Sequence, residues 1–172
     1  MKTFKGSVLF LDRSDINTDE IIPAKYLTEN SKLDLKPFIL EDLKLPGFDP
    51  ERDTAKAQVI VTRANFGCGS SREHAVWVFE VNDINVVIGE SFARIFRQNM
   101  FNCGMLALEL PAADIDAIMA LGSQVAIAVD LDSSSLTAKG EKGEATFSFE
   151  LNSFDRDLVA SGGWLAYADK KY

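Results

Sequence analysis

The segment Asn65-Phe66-Gly67-Cys68-Gly69-Ser70-Ser71-Arg72-Glu73-His74 gathers two glycines, two hydroxyls, a thiol, an arginine, a carboxylate and the chain's single histidine. Ala57 to Thr62 before it reads as a buried strand, and Ala75 to Val81 after it as a helix. The segment therefore falls where a strand turns into a helix N-terminus, where main-chain N–H groups and the helix dipole favour an anion. Ser70 and Glu73 fit the capping box S-x-x-E, in which each side chain bonds the other residue's backbone N–H. Such a box explains those two residues and leaves Ser71 and Arg72 to meet a carboxylate or phosphate. The helix terminus alone favours an anion by about 0.3–2 kcal/mol, roughly one pKa unit. A serine hydroxyl does not ionise near neutral pH on that help alone. If Ser70 is a base, it needs Arg72, further donors and a metal-bound substrate, so the segment reads as half of an active site.

Other loop chemistries fit less well. A P-loop requires Lys after its last Gly, where this chain has Ser70. In the dinucleotide fingerprint G-x-G-x-x-G, Gly67 and Gly69 match, but Arg72 stands where the third glycine packs helix against strand. No G-x-S-x-G elbow marks a serine hydrolase. His74 lies four residues from Ser70 and is read as a structural donor. Cys68 is read as a packing residue rather than a nucleophile.

The elements that hold the segment follow from pattern. Gly6 to Leu11 reads as a strand, with polar turn residues over Asp12 to Glu20 before Ile21-Ile22. Residues 30–56, broken by Pro37, Pro46, Gly47 and Pro50, read as a short helix followed by a surface loop of functional length. Strand and helix then alternate: Ile84–Ile88, Ser91–Phe101, Met105–Leu110, Ala112–Leu121. In the second of these Phe92, Ile95, Phe96 and Met100 share a face. Val125–Val129 and Ala145–Phe149, separated by a turn-rich stretch over 132–143, read as antiparallel strands, followed by a helix from about Ser153 and a closing Trp164–Tyr167. The fold class is α/β, a three-layer or barrel-like domain with a mixed sheet.

At 172 residues, 47% hydrophobic, the chain is expected to form one domain over 1–172. A net charge of -8 makes nucleic acid or an anionic membrane a poor partner, so anion binding has to be local. No apolar run reaches membrane-span length, and Met1 to Gly6 lacks the apolar core of a signal peptide, so the expected location is cytoplasmic. Cys68 and Cys103, the only cysteines, are too few for a disulfide framework or a self-contained metal site. The apolar run Ala75–Phe79 is suited to burial inside the domain or against a partner.

The 65–74 segment resembles the signature of the swivelling domain of the aconitase superfamily, nearest to its separate isopropylmalate dehydratase small subunits. Asp15 to Leu27 is similar to that family's D-x-x-x-T-D-x-I-I-P block, Ser91–Phe96 to its S-F-A-x-I-F block, and Asn99–Leu106 to the continuation. The resemblance implies a β/β/α swivelling domain as in the aconitase C-terminal domain. It also implies a hydro-lyase that interconverts 2- and 3-isopropylmalate by dehydration and rehydration in leucine biosynthesis. By position it assigns Ser70 as general base and Asp19 as an active-site acid. Ser71, Arg72, Lys25 and Thr28 match substrate contacts. The [4Fe-4S] cluster would sit on a cluster-bearing large subunit, with none bound by this chain, and the substrate would be a small di- or tricarboxylate. Thr28-Glu29 falls where isopropylmalate enzymes tend to be apolar and users of longer tricarboxylates carry arginine. Homoaconitate, methylcitrate-type and dimethylmalate substrates therefore stay open, as does a non-catalytic carboxylate-sensing module.

Overall fold

The computed structural model describes residues 2–29 and 31–172. Its centre is a mixed sheet of seven strands in the order β4-β3-β2-β1-β5-β6-β7, curled into a half-barrel. These strands are β1 (Lys5–Leu11), β2 (Val59–Thr62), β3 (Val86–Gly89), β4 (Leu106–Glu109), β5 (Ala126–Asp130), β6 (Ser135–Gly140) and β7 (Gly143–Ser148). The expected α/β class with a mixed, barrel-like sheet is thus the class observed.

β1 joins two kinds of sheet. Its Val8–Leu11 half pairs in parallel with Val59–Thr62 of β2, and its Lys5–Ser7 half runs antiparallel to Ala126–Ala128 of β5. β2, β3 and β4 continue the parallel wing through βαβ crossovers made by α3 (His74–Val81) and α4 (Arg94–Asn102). Parallel strands are covered on both faces and read as unbroken apolar runs. All four residues of β2 and of β3 are buried accordingly. β5, β6 and β7 form the antiparallel wing, and in β6 Leu136 and Ala138 alternate inward between more exposed neighbours.

Three expectations are corrected here. The stretch over 132–143 is more than a turn: it contains β6, which separates β5 from β7, so the 125–129 and 145–149 strands pair with β6 and not with each other. The helix expected from Ser91 starts at Arg94, because Ser91-Phe92-Ala93 is extended alongside the 65–74 segment. Of the short helix and following surface loop expected over 30–56 (Asn30 lies outside the described residues), the helix is a 3-10 helix over Lys32–Phe38, and the loop after it is anchored and interrupted by a short helix α2 (Pro50–Thr54). Leu35, Ile39, Leu40 and Leu43 are all buried. That apolar spacing follows 3-10 turns and bends, so neither helical nor strand periodicity exposes it.

The 3-10 segment packs against α3, and Ala75, Val76, Val78 and Phe79 of that helix are fully buried. The apolar run is thus internal. α4 packs in turn on α6 (Ser153–Ser161) and α7 (Trp164–Lys171), while α5 (Ala112–Met119) follows β4. Among the described residues no helix is long and apolar enough to cross a membrane.

Candidate active site

Both loops that carry the candidate residues leave the C-terminal ends of neighbouring parallel strands, the end of an open α/β sheet where ligands bind. Residues 12–22 follow β1 and residues 63–73 follow β2. Main-chain bonds lace them together: Asp15 N–H donates to Ala64 O at 2.9 Å, Gly67 N–H to Ile16 O at 2.8 Å and Thr18 N–H to Cys68 O at 2.8 Å. Asn65 Nδ2 donates to Asp15 Oδ1 at 2.9 Å. On the other side Phe66 N–H reaches Ser91 O at 3.1 Å, Ala93 N–H reaches Phe66 O at 3.0 Å, and Asn65 N–H reaches Ser91 Oγ at 2.8 Å. The three motifs read from the sequence therefore form one assembly.

The capping box of this site is not where the sequence pattern suggested. α3 starts at His74 behind Glu73, which is helical in conformation and makes no side-chain cap. Ser70 and Glu73 form no box, because the lacing to residues 16–18 and the left-handed Gly67 and Gly69 (φ +82° and +96°) keep the chain irregular up to Arg72. A capping box forms instead on the facing loop. Asn17 Oδ1 accepts from Glu20 N–H at 3.0 Å, Glu20 Oε1 accepts from Asn17 N–H at 3.2 Å, and α1 (Thr18–Ile21) follows. The sequence pattern reads Asn17 and Glu20 as turn residues, although N-x-x-E ahead of Ile21-Ile22 carries the same signature.

Arg13 also donates to Glu20 through a charged hydrogen bond. That bond, with the Asn17 amide adding to it against burial, holds the Glu20 carboxyl below its ordinary value. A carboxylate with a depressed folded-state pKa stabilises above its unfolded pKa and loses that contribution as pH falls through the folded value. Acidification through the range below about 4.5 is therefore expected to loosen α1, and Glu20→Gln should flatten that part of the stability–pH curve in chemical denaturation.

α1 presents Asp19 towards Arg72. Asp19 Oδ1 lies 2.6 Å from Arg72 Nη1, and Arg72 Nη2 donates to Ser70 Oγ at 3.2 Å. The Arg72 side chain is 21% exposed and that of Asp19 62% exposed, so the guanidinium sits at the floor of an open spot with its acid above it. Ser70 and Ser71 are both exposed. The structure thus brings together Asp19, Ser70 and Arg72, with Ser71 adjacent. It does not bring Lys25 and Thr28 into hydrogen-bond contact with them. Lys25, on a 3-10 turn over Ala24–Tyr26, lies 3.8 Å from Glu41, and Thr28 is exposed just beyond that turn.

The remaining candidates have structural surroundings. The His74 ring lies 4.7 Å from Trp77, centroid to centroid, and makes no hydrogen bond to Ser70. Burial, reinforced by Asp15 and Glu20, pushes the Cys68 thiol up, away from a thiolate nucleophile. Burial also pushes the Cys103 thiol up to about 11. An iron–sulfur cluster is held by about four cysteine thiolates, and this chain's two cysteines, one in the site loop and one capping α4 beside the start of β4, do not make such a set. Among the described residues no group of three or more His, Cys, Asp or Glu side chains is placed to hold a metal ion.

The mixed seven-stranded half-barrel is the fold of one class of domain, and the sequence comparison agrees with it. Residues 1–113 match the aconitase C-terminal domain family, and the chain belongs to that family. It is 39% identical over 165 residues to the 3-isopropylmalate dehydratase small subunit of Deinococcus deserti, covering 90% of this chain and 81% of the relative. The small subunit of that name from Aliarcobacter butzleri is 36% identical over 170 residues, covering 98% and 95%. A solved structure of 3-isopropylmalate dehydratase from Methanocaldococcus jannaschii superposes with a TM-score of 0.80 at 30% identity, covering 98% of this chain and 94% of that one.

Proposed function

We propose that this chain is the small subunit of a 3-isopropylmalate dehydratase, a hydro-lyase that interconverts 2- and 3-isopropylmalate in leucine biosynthesis. The observation that carries the reading is the Asp19–Arg72–Ser70 group, built from two loops of a domain whose full-length relatives bear that name. Arg72 offers a planar fork of donors matched to a carboxylate. Ser70 Oγ, one hydrogen bond from the same guanidinium, is positioned to take the proton from the carbon next to that carboxylate. Ser71, the next residue and exposed like Ser70, adds a hydroxyl donor beside it. The adjacent carbon releases its hydroxyl as water, and return of water and proton in the opposite sense gives the isomer. Asp19 lies within reach to accept or return a proton as the second acid–base group, while Lys25 and Thr28 face substrate only after their segment meets a partner.

In this reading the [4Fe-4S] cluster, with the Lewis-acid chemistry it supplies, belongs to a large-subunit partner, since Cys68 and Cys103 do not fit as its ligands. The deciding experiment is anaerobic assay of the purified chain alone and with its large subunit, against isopropylmalate, homoaconitate, methylcitrate and dimethylmalate. The chain alone is expected to be inactive and to lack an iron–sulfur absorbance band, with isopropylmalate turned over only by the pair. Strong activity of the isolated chain would overturn the two-subunit reading.

Arg72→Lys tests the carboxylate clamp. Lysine keeps the charge but cannot address a carboxylate and Ser70 Oγ at once. Charged hydrogen bonds are worth about 1.5–3 kcal/mol, so KM of the paired enzyme is expected to rise by about 10- to 100-fold, with a smaller change in kcat. A kcat loss at unchanged KM would assign Arg72 a different role.

A further inference from the structure

We propose that in the unliganded chain Asp19 stands in for a substrate carboxylate on Arg72, so that the clamp is self-occupied and opens only when the 69–72 segment shifts, Thr18 acting as the positioning residue for the shifted loop. The proposal rests on the reading of Arg72 as the carboxylate clamp and concerns how that clamp is filled and emptied.

The geometry points this way from both sides of the contact. Asp19 presents to Arg72 the same group a dicarboxylate ligand would present, at 2.6 Å from Nη1, so a ligand carboxylate has to compete with it. The two partners are held unequally. Asp19 rides on α1, which the Asn17–Glu20 capping box and the Arg13–Glu20 pair lock at its start. Arg72 rides on a segment whose main-chain ties are local, from Arg72 N–H to Ser70 O at 2.9 Å and from Ala75 N–H to Arg72 O at 3.3 Å. After the Asn17–Cys68 bridge the chain passes through a left-handed Gly69 and two exposed serines, and it enters α3 without a side-chain cap. The Arg72 side is therefore the one that moves.

A second observation marks where the loop goes. Thr18 is 2% exposed, and its Oγ1 is buried without a hydrogen-bond partner. A buried hydroxyl left unpaired is costly, and such groups call for an explanation. Among the atoms around Gly69, Thr18 Oγ1 lies nearest to where a Cβ would stand, at 3.4 Å. The orphan hydroxyl thus sits directly under the most permissive residue of the segment. A modest shift of Gly69–Ser70 brings a main-chain N–H or carbonyl to it and lifts Arg72 away from Asp19. The loss of one ion pair is then offset by the gain of one buried hydrogen bond.

The competing contact is weak by design of its surroundings. Ion pairs of this exposure are worth about 0.2–1 kcal/mol, equivalent to about 1.4- to 5-fold in an equilibrium constant. Malate binding to the isotope-labelled isolated chain, followed by amide shifts of residues 18 and 69–73, tests the idea directly. Asp19→Asn keeps the shape and removes the competing charge. It is expected to tighten malate binding by about 2- to 5-fold. Thr18→Val keeps the volume and removes the hydroxyl the shifted loop needs. It is expected to weaken malate binding while leaving the amide spectrum of the free chain folded and its thermal midpoint unchanged or raised.

Unchanged or weaker binding by Asp19→Asn overturns the self-occupied clamp and makes Asp19 a residue that orients Arg72. Unchanged binding by Thr18→Val overturns the role of the hydroxyl. Failure of the underlying reading has a different signature. If Asp19→Asn/Arg72→Ala binds malate as tightly as Asp19→Asn alone, Arg72 is not the clamp, whatever Asp19 does.

Discussion

Ser70→Ala in the assembled enzyme is expected to lower kcat by about 10²- to 10⁴-fold, the range a positioned general base contributes, with KM little changed. The division follows from the geometry. Ser70 receives one hydrogen bond, from Arg72 Nη2 at 3.2 Å, and caps no helix. Removing its hydroxyl leaves the Asp19–Arg72 pair intact and costs the fold little, since Ser70 is exposed. Two measurements separate catalysis from structure: steady-state kinetics of the paired enzyme, and chemical denaturation of the isolated chain. Turnover should collapse with stability within about 0.5 kcal/mol of wild type, as for exposed positions generally. A variant that unfolds more easily yet keeps its rate would return Ser70 to a structural role. Base catalysis by a hydroxyl demands help, and here it has an identifiable source in the guanidinium that holds both Ser70 and a carboxylate.

Gly67→Ala is expected to destabilise the chain by about 2–5 kcal/mol, combining the left-handed backbone of a non-glycine residue (about 1–2 kcal/mol) with overpacking (about 1–3 kcal/mol). Gly67 adopts φ +82°, and a Cβ there would stand 2.3 Å from Phe96 Cγ and 2.6 Å from its Cβ. Phe96 cannot yield. It is 3% exposed and packs edge-on to Phe66 at 5.4 Å and to Phe79 at 6.4 Å, with Phe92 stacked behind it at 6.4 Å. Gly69→Ala is the matched control: φ is +96°, but the nearest atom is 3.4 Å away, so only the backbone cost of about 1–2 kcal/mol applies. Denaturation midpoints of the two variants should therefore differ clearly. Equal midpoints would mean that Phe96 yields, and that the aromatic cluster does not set the position of the site loop.

The two loops of the site also show why a pattern can be right about residues and wrong about their local roles. S-x-x-E at Ser70–Glu73 and N-x-x-E at Asn17–Glu20 are equally good capping signatures on paper. Only the second forms, because main-chain bonds from residues 16–18 seize Gly67 and Cys68 and delay the start of α3 to His74. The glycines that looked like phosphate-loop glycines serve two different needs. Gly67 makes room for Phe96, and Gly69 leaves space above Thr18.

Much was legible in order along the chain. Continuous apolar runs marked β2, β3 and β4 because strands covered on both faces need no polar side. The types and spacing of Ser70, Ser71 and Arg72 point to a carboxylate or phosphate, and two cysteines are too few for a self-contained metal site. What the one-dimensional pattern could not carry was anything made by pairing distant segments. β6 escapes the one-dimensional pattern because its mostly polar sequence, Ser135 to Gly140, becomes a strand only between two neighbours. The part after Phe38 reads as a surface loop because its buried Ile39, Leu40 and Leu43 follow bends rather than a helical period. The meeting of Asp19 with Arg72, 53 positions apart, was decided only in the folded chain. Parallel pairing of β1 with β2 places both loops at the same edge, and that long-range register converts two separate motifs into one site.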